Sequence, residues 1–321
     1  MLTRIREAVD VADIAKLCHA FGTEAGEPRC LGDAQNLVFS VNDGYVMKFI
    51  HESHRSLEQL KAEAEFIACL ERGGVKVSHQ LLHEGSEYIP YRNKGESFWV
   101  CVETKAKGVE VLHNNKALYN ENLFELWGKT TAMMHRAAME FRPKYPRFMF
   151  TDDPSIAGAE ELLNKFCGSD YAALYHKTLD RILSLPMDSS CYGTVHYDLH
   201  NGNFFLNNDE LQVFDFDDCC LAHYFADIVV GLYAHLNLPL NDFTRQAQEF
   251  LTPFMRGYEK LMPVDERFKR ELNHFMRYRY FLLLLFIITD YDLSQARVQK
   301  LFKKYEGLAS VDRYFDESLR F

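Results

Sequence analysis

The chain has 321 residues, 47% of them hydrophobic and 26% charged, with a formal net charge of −10 at neutral pH. That length allows two compact units or one bilobal domain with a large core, and an acidic chain without a basic stripe argues against nucleic acid as a partner. The eight cysteines are scattered without a C-x-x-C, the N-terminal stretch is too interrupted by charge for a signal peptide, and the longest apolar run, Phe281 to Ile288, is too short to span a bilayer; a cytoplasmic protein with no membrane partner is expected.

Val11, Ile14, Cys18 and Phe21 stand three and four apart, which predicts a helix over residues 10–21 with Asp10 as cap and Gly22 as stop. Residues 37–41 and 45–50 read as strands joined by the turn Asn42-Asp43-Gly44. In the second of these, Val46, Lys48 and Ile50 share one face. A lysine there either guards a strand edge or reaches into a cleft for an anion. The next periodic segment, residues 56–72, is a helix stopped by Gly73-Gly74, and it puts Glu63 on the face of Leu60, Ile67 and Leu70. An inward carboxylate needs a cation, and Lys48 is the obvious one; otherwise Glu63 borders the stripe and reaches water. Strand-like segments follow at 77–82 and 98–103. The polar connector TKAKG, residues 104–108, then marks a boundary between an N-terminal lobe of residues 1–105 and a C-terminal lobe of residues 106–321. Beyond it helices dominate, at 120–140, 160–166, 171–185, 225–236, 243–260, 266–288 and 294–305.

The most informative stretch is CYGTVHYDLHNGNFFLNNDELQVFDFDDCC, residues 191–220. It places His196, Asp198 and Asn203 on one polar loop. Two short apolar runs around the turn Asn207-Asn208-Asp209 predict a hairpin, which would hold Asn203, at the start of one strand, near Asp215, at the end of the other. An amide oxygen and a carboxylate converging in this way suit Mg²⁺, a hard ion that takes few protein oxygens. Asp198 is then free to face a hydroxyl. The bland reading is a solvated turn rich in Asp, Asn and Gly. Zinc at His196 and His200 lacks further ligands at a familiar spacing. The run VFDFDD is similar to the nucleophile strand of haloacid-dehalogenase-type phosphatases, but that fold needs alternating strands and helices downstream, where this chain reads as helical.

Together, HYDLHNGNFF and VFDFDD resemble the catalytic and metal-binding segments of the aminoglycoside phosphotransferase and choline kinase group. YVMKFI, KAEAEFIACL and FWVCVETKAKG extend the resemblance over residues 30–236. It implies an α+β, bilobal protein-kinase-like fold: a small N-terminal antiparallel-sheet lobe and a larger, mainly helical C-terminal lobe. It implies ATP and Mg²⁺ as cofactors. Asp198 would be the catalytic aspartate, and Asn203 and Asp215 would hold the metal, with Asp217 as an auxiliary ligand. Lys48 would grip the α- and β-phosphates, aligned by Glu63. Val46 would pack on the adenine, whose edge would bond the hinge backbone near Glu103 and Lys105. His196 would brace the loop and Asp227 would anchor it. No G-x-G-x-x-G covers the phosphates; residues 31–36 stand where that loop should be.

Three functions follow from the resemblance: a kinase for a small hydroxylated metabolite or drug, a serine/threonine protein kinase, and a silent pseudokinase that only binds. The last is disfavoured because the lysine, glutamate, base, asparagine and metal aspartate are all present. The second is disfavoured because eleven residues separate Asp215 from Asp227, too few for a peptide-docking activation segment. A small acceptor (amino alcohol, sugar, homoserine or aminoglycoside) is the reading preferred.

Overall fold

A computed structural model describes residues 7–32, 35–153, 156–236 and 242–321. The expected phosphate-covering stretch at 31–36 is only partly within these, because Asp33 and Ala34 lie outside the described residues. The chain divides into two compact units, neither continuous in sequence. Unit 1 is Met1–Val109 with Phe141–Arg147 and Phe204–Asp217; unit 2 is Glu110–Glu140, Phe148–Asn203 and Asp218–Phe321. The first break lies close to the connector that the sequence marks, but residues 141–147 and 204–217, which a single boundary at 105/106 leaves in the second lobe, pack with the first.

Unit 1 is a five-stranded sheet with helices. Its strands are β1 (Arg29–Gly32), β2 (Leu37–Ser40), β3 (Tyr45–His51), β5 (Ile89–Asn93) and β6 (Glu96–Thr104), in the order β1-β2-β3-β6-β5, and every neighbouring pair is antiparallel. Helix α1 (Val11–Ala20) starts where Asp10 Oδ1 accepts from Ala12 N at 2.9 Å. The β2–β3 turn closes on Asn42, whose Oδ1 accepts from Gly44 N at 2.8 Å. Phe49, Phe98, Tyr91 and Phe39 meet edge-on or tilted beneath the sheet and fix its apolar face. Helix α2 (Leu57–Arg72) begins in a reciprocal capping box between Ser56 and Gln59. A second sheet runs β4 (Lys76–Val77), β10 (Glu210–Val213), β9 (Phe204–Asn207) and β7 (Val109–Glu110). The β9–β10 hairpin is the one predicted, with Phe204 opposite Val213. The predicted strand at 77–82 is mostly loop: Lys76–Val77 lies parallel to β10, and beyond it Gln80 makes an isolated antiparallel bridge to Glu103.

Unit 2 is built on helices: α3 (Glu121–Glu140), α4 (Ala159–Phe166), α5 (Ser169–Leu183), α6 (Phe225–His235), α7 (Phe243–Tyr258), α8 (Glu266–Arg270), α9 (Leu272–Asp290) and α10 (Ala296–Ala309). Helices α3 and α7 cross at glycines. A Cβ on Gly128 would overlap the Phe254 carbonyl, and one on Gly257 would overlap the Glu125 carbonyl. That approach lets Trp127 bury fully against Phe250 and Phe254. The predicted helix at 266–288 is two helices, broken at Glu271. Two further strands, β8 (Tyr192–Val195) and β11 (Cys220–His223), pair antiparallel on either side of the hairpin in sequence. None of the helices among the described residues is long and apolar enough to cross a membrane.

Candidate active site

In unit 1 the chemistry gathers around Lys48. Its position on β3 faces Cys101 on β6, so Glu103, two residues along, presents its carboxylate to the same side. Lys48 Nζ lies 3.2 Å from Glu103 Oε2 and 3.3 Å from Asp215 Oδ1. Val46, opposite Glu103, shares that face. Burial works against the ammonium, but Glu103 and then Asp215 more than compensate and hold its pKa well above the usual lysine value. Asp215 sits at φ +66° with 48% of its side chain exposed, against 9% for Lys48. This carboxylate therefore keeps an open side.

Glu63 is buried on α2 as expected, but the expected Lys48–Glu63 pair is not formed. Glu63 Oε2 is buried without a hydrogen-bond partner. Burial raises its pKa to about 8, with Arg147 and Lys48 only partly offsetting that and Asp217 adding to it. A carboxyl neutral at pH 7 has little to offer an ammonium, and Glu103 takes its place. The hinge also differs from expectation. Lys105 N donates to Gly44 O at 2.8 Å and its Nζ to Ser40 Oγ at 3.2 Å, so its N–H is not open to an adenine edge. Thr104 N bonds His79 O and Lys107 N bonds Gln212 Oε1, whereas Ala106 N has no hydrogen-bond acceptor among the described residues.

Asp217 departs furthest from its expected part. It is buried, with Oδ2 2.7 Å from His54 Nε2 and 3.6 Å from Arg55 Nη2. Its backbone oxygen accepts from Arg55 Nε at 3.3 Å and from Arg147 Nη2. Burial opposes ionisation, but Arg55 and His54 prevail and hold the carboxylate far below the usual range. An aspartate already gripped by His54 and Arg55 has its carboxylate taken up inside unit 1 rather than left open for a metal ion, and it fixes the loop two residues beyond Asp215.

In unit 2 the polar loop is held by one buried carboxylate. Asp227, in the first turn of α6, accepts from His196 N at 3.1 Å, from Tyr197 N at 2.7 Å and from His135 Nε2 at 3.0 Å. Tyr197 stands at φ +67°, a conformation that costs a tyrosine roughly 1 kcal/mol or more and persists only when its surroundings impose it. Asp198 follows directly. Asn203 Nδ2 donates to Asp198 O at 2.9 Å and to its Oδ2 at 3.2 Å, which turns Asn203 Oδ1 away. His200 Nδ1 accepts from Gly202 N at 2.9 Å; its Nε2 then carries the proton and lies 3.4 Å from Asp198 Oδ2. A Cβ at Gly202 would run into the His200 ring, so any other residue there would have to displace it. Asp198 Oδ1 is held at 2.5 Å by Arg279 Nη2 from α9. Burial pushes Asp198 upward, but Arg279 and then His200 outweigh it and hold the carboxyl down to about 2. The aspartate is thus ionised at every working pH.

Taken each in its own unit, an amide oxygen turned away from its loop (Asn203) and a half-exposed carboxylate (Asp215) are both of the kind a hard divalent ion takes, since it prefers few protein oxygens completed by phosphate and water. The set does not resemble a zinc cage, and among the described residues no three His, Cys, Asp or Glu side chains cluster as one. Sequence reasoning missed Arg279, His54, Arg55 and Arg147, and gave Glu103 only a backbone role. For Glu103 a signal existed in the alternation with Cys101 and Trp99 on β6; for the arginines, distant in sequence, there was none.

The profile of the Phosphotransferase enzyme family matches residues 28–271. Amicoumacin kinase of Bacillus subtilis is 29% identical over 296 residues, covering 88% of this chain and 85% of that protein. Among solved structures, an amicoumacin kinase in complex with AMP-PNP and Ca²⁺ superposes with a TM-score of 0.84 at 23% identity, covering 98% of both chains. A microcompartment-associated aminopropanol kinase gives 0.71 at 16% identity, with 94% of this chain and 95% of that one covered. These structural likenesses show the protein-kinase-like fold.

Proposed function

From the premise that the chain belongs to the Phosphotransferase enzyme family, and so is an ATP-dependent kinase with a hydroxyl acceptor, we propose how its residues divide that work. In unit 1, Lys48 would grip the α- and β-phosphates and Asp215 would be a ligand for the divalent ion; in unit 2, Asn203 would be a metal ligand and Asp198 would face the acceptor. Mg²⁺, when bound, offsets the charge that develops on the transferring group. Val46 packs on the adenine, and Ala106 N–H, in place of Lys105, meets its edge. The acceptor oxygen forms its bond to the γ-phosphorus as the bond to the β,γ-bridging oxygen breaks and ADP leaves. In so loose a transition state the hydroxyl needs orientation more than full deprotonation, and Asp198, ionised and fixed, provides that and receives the proton as the new ester forms.

The observation that carries this reading is the Asp198 carboxylate, held by Asn203 and Arg279 on a loop that Asp227 pins. A small acceptor is favoured over a protein because the span from Asp215 to Asp227 is spent on β11 and the start of α6, leaving no platform for a peptide. The cytoplasm, where ATP is available, is the compartment proposed. Amicoumacin is the first acceptor to test, followed by amino alcohols, homoserine, sugars and aminoglycosides, in an assay coupled to ADP release. With the acceptor found, Asp198→Asn should retain ATP binding and lose about two to four decades of turnover, and EDTA should abolish it. Normal turnover by Asp198→Asn would remove the mechanism; rapid phosphorylation of a protein, with every small acceptor refused, would remove the substrate class.

A further inference from the structure

Arg279 lies on α9, eighty-one residues from Asp198 in sequence, in a region where the sequence carries no recognisable motif. Its guanidinium grips two consecutive residues of the polar loop: Nη2 holds Asp198 Oδ1 at 2.5 Å, and Nη1 donates to Tyr197 O at 3.3 Å. The group lies over the Tyr233 ring, 5.5 Å from its centroid, and Tyr233 is held in turn by Tyr305 of α10 through a 2.8 Å hydroxyl contact. Nε is buried with no acceptor, so the side chain is committed to these contacts at a cost. Helix α6, helix α10 and the loop thus all fix one guanidinium on one carboxylate oxygen.

We propose that Arg279 is a positioning residue for phosphoryl transfer, locking the rotation of the Asp198 carboxylate so that Oδ2 is the oxygen presented to the acceptor hydroxyl. The proposal rests on Asp198 being the base. A buried ion pair is a poor device for stability, since apolar replacements of similar volume are often as stable; one set on a reactive carboxylate earns its place through geometry. Without Arg279, Oδ1 has no partner among the described residues, and only the longer contacts of Oδ2 with Asn203 at 3.2 Å and His200 at 3.4 Å are left to set the carboxylate's rotation about Cβ–Cγ. Misplacement of a catalytic group by about 1 Å costs on the order of 10²-fold in rate. Tyr197 O would lose its contact at the same time, loosening a residue already at φ +67°.

The test is a double-mutant cycle on the full chain with ATP, Mg²⁺ and whichever acceptor the ADP-release screen finds. Arg279→Met should lower kcat by roughly 10²-fold while leaving KM for ATP within about twofold, and added guanidinium ion at concentrations well below denaturing should restore part of kcat. In an Asp198→Asn background, where no base remains to be positioned, Arg279→Met should cost almost nothing further, because residues acting as a unit are non-additive. If Arg279→Met does not fold, Arg279→Lys, which keeps the charge but cannot reach both oxygens in the same geometry, should show the same loss of kcat at an unchanged melting temperature. Equal kcat in wild type and the Arg279 variant overturns the proposal and leaves Asp198 as base. A full additional loss in the Asp198→Asn background also overturns it, assigning Arg279 to acceptor binding or structure. Wild-type turnover by Asp198→Asn alone overturns the base reading, and the positioning role with it.

Discussion

Replacing Glu63 by glutamine should flatten the dependence of stability on pH. Burial of its carboxyl, incompletely compensated by Arg147 and Lys48, raises its pKa to about 8 from an ordinary 4.5. The folded state therefore favours the protonated form. Below pH 4.5 the group is protonated in both the folded and the unfolded chain and contributes no pH dependence. Between 4.5 and 8 the unfolded chain releases the proton and the folded one keeps it, so rising pH favours unfolding by about 1.4 kcal/mol per unit. Above 8 both are ionised and the loss levels off, with a ceiling of about 5 kcal/mol across the window. Glutamine keeps the shape and the hydrogen-bonding capacity but cannot ionise. Urea unfolding of wild type and Glu63→Gln, each from pH 5 to 9, should give curves that nearly coincide at the acid end. The variant should then pull ahead by several kcal/mol near pH 8. Histidines and other groups titrating in this range act equally on both proteins and cancel in the difference. A difference that stays constant across the range would refute the claim that Glu63 is neutral at pH 7, and with it the reason Lys48 turns to Glu103.

Lys48→Met alone would leave Glu103 buried without its cation, a loss of about 3–5 kcal/mol that confounds any activity measurement. Lys48→Met with Glu103→Gln should instead melt near wild type and still raise KM for ATP or lower kcat at least tenfold; normal ATP use by the double variant would exclude Lys48 from the phosphate site. Asp217→Asn should lower stability by about 3 kcal/mol in urea unfolding yet leave the Mg²⁺ concentration for half-maximal rate within a few fold, whereas a large rise at unchanged stability would restore it as a metal ligand. Gly257→Ala should cost about 1–3 kcal/mol or more by overpacking the helix crossing, read as a lowered melting temperature; a neutral result would mean that α3 and α7 separate without cost.

The legible parts of this chain were those in which neighbours in sequence are neighbours in space. The polar loop, the β9–β10 hairpin and the β2–β3 turn carry their own turn chemistry, and Asp198, Asn203 and Asp215 could be picked out from a thirty-residue window. Strand alternation and the helix face singled out Lys48 and Glu63, and family resemblance then supplied their roles. What was not legible depends on long-range contact. Whether Glu63 or Glu103 meets Lys48 is decided by desolvation, which no local pattern reports. That Asp217 is occupied by His54 and Arg55 is visible only once a contact 163 residues apart is formed. The short strands β1, β7, β8 and β11 were missed because a strand of two to four residues has too few positions to show a period, and exists through its partner. Glu271 broke a predicted helix despite good periodicity, since the apolar pattern continues across the break.

The interleaved path of unit 1 has a consequence for synthesis. Its sheet, α2 and the side chains of His54 and Arg55 all precede Val109, but the hairpin and Asp217 that complete their packing end at residue 217. At about 5–20 residues per second, the nascent first unit waits roughly 5–20 s for its last segment. Throughout that time His54 and Arg55 have no Asp217 to bind, and the apolar face of Phe66, destined for Phe141 and Phe216, lacks at least the second of these two rings. A ribosome stalled after residue 140 should therefore carry an N-terminal segment open to proteases and chaperones, and one stalled past the β9–β10 hairpin should not. Synonymous codons that slow translation between those two points would lengthen the exposure without altering a single residue.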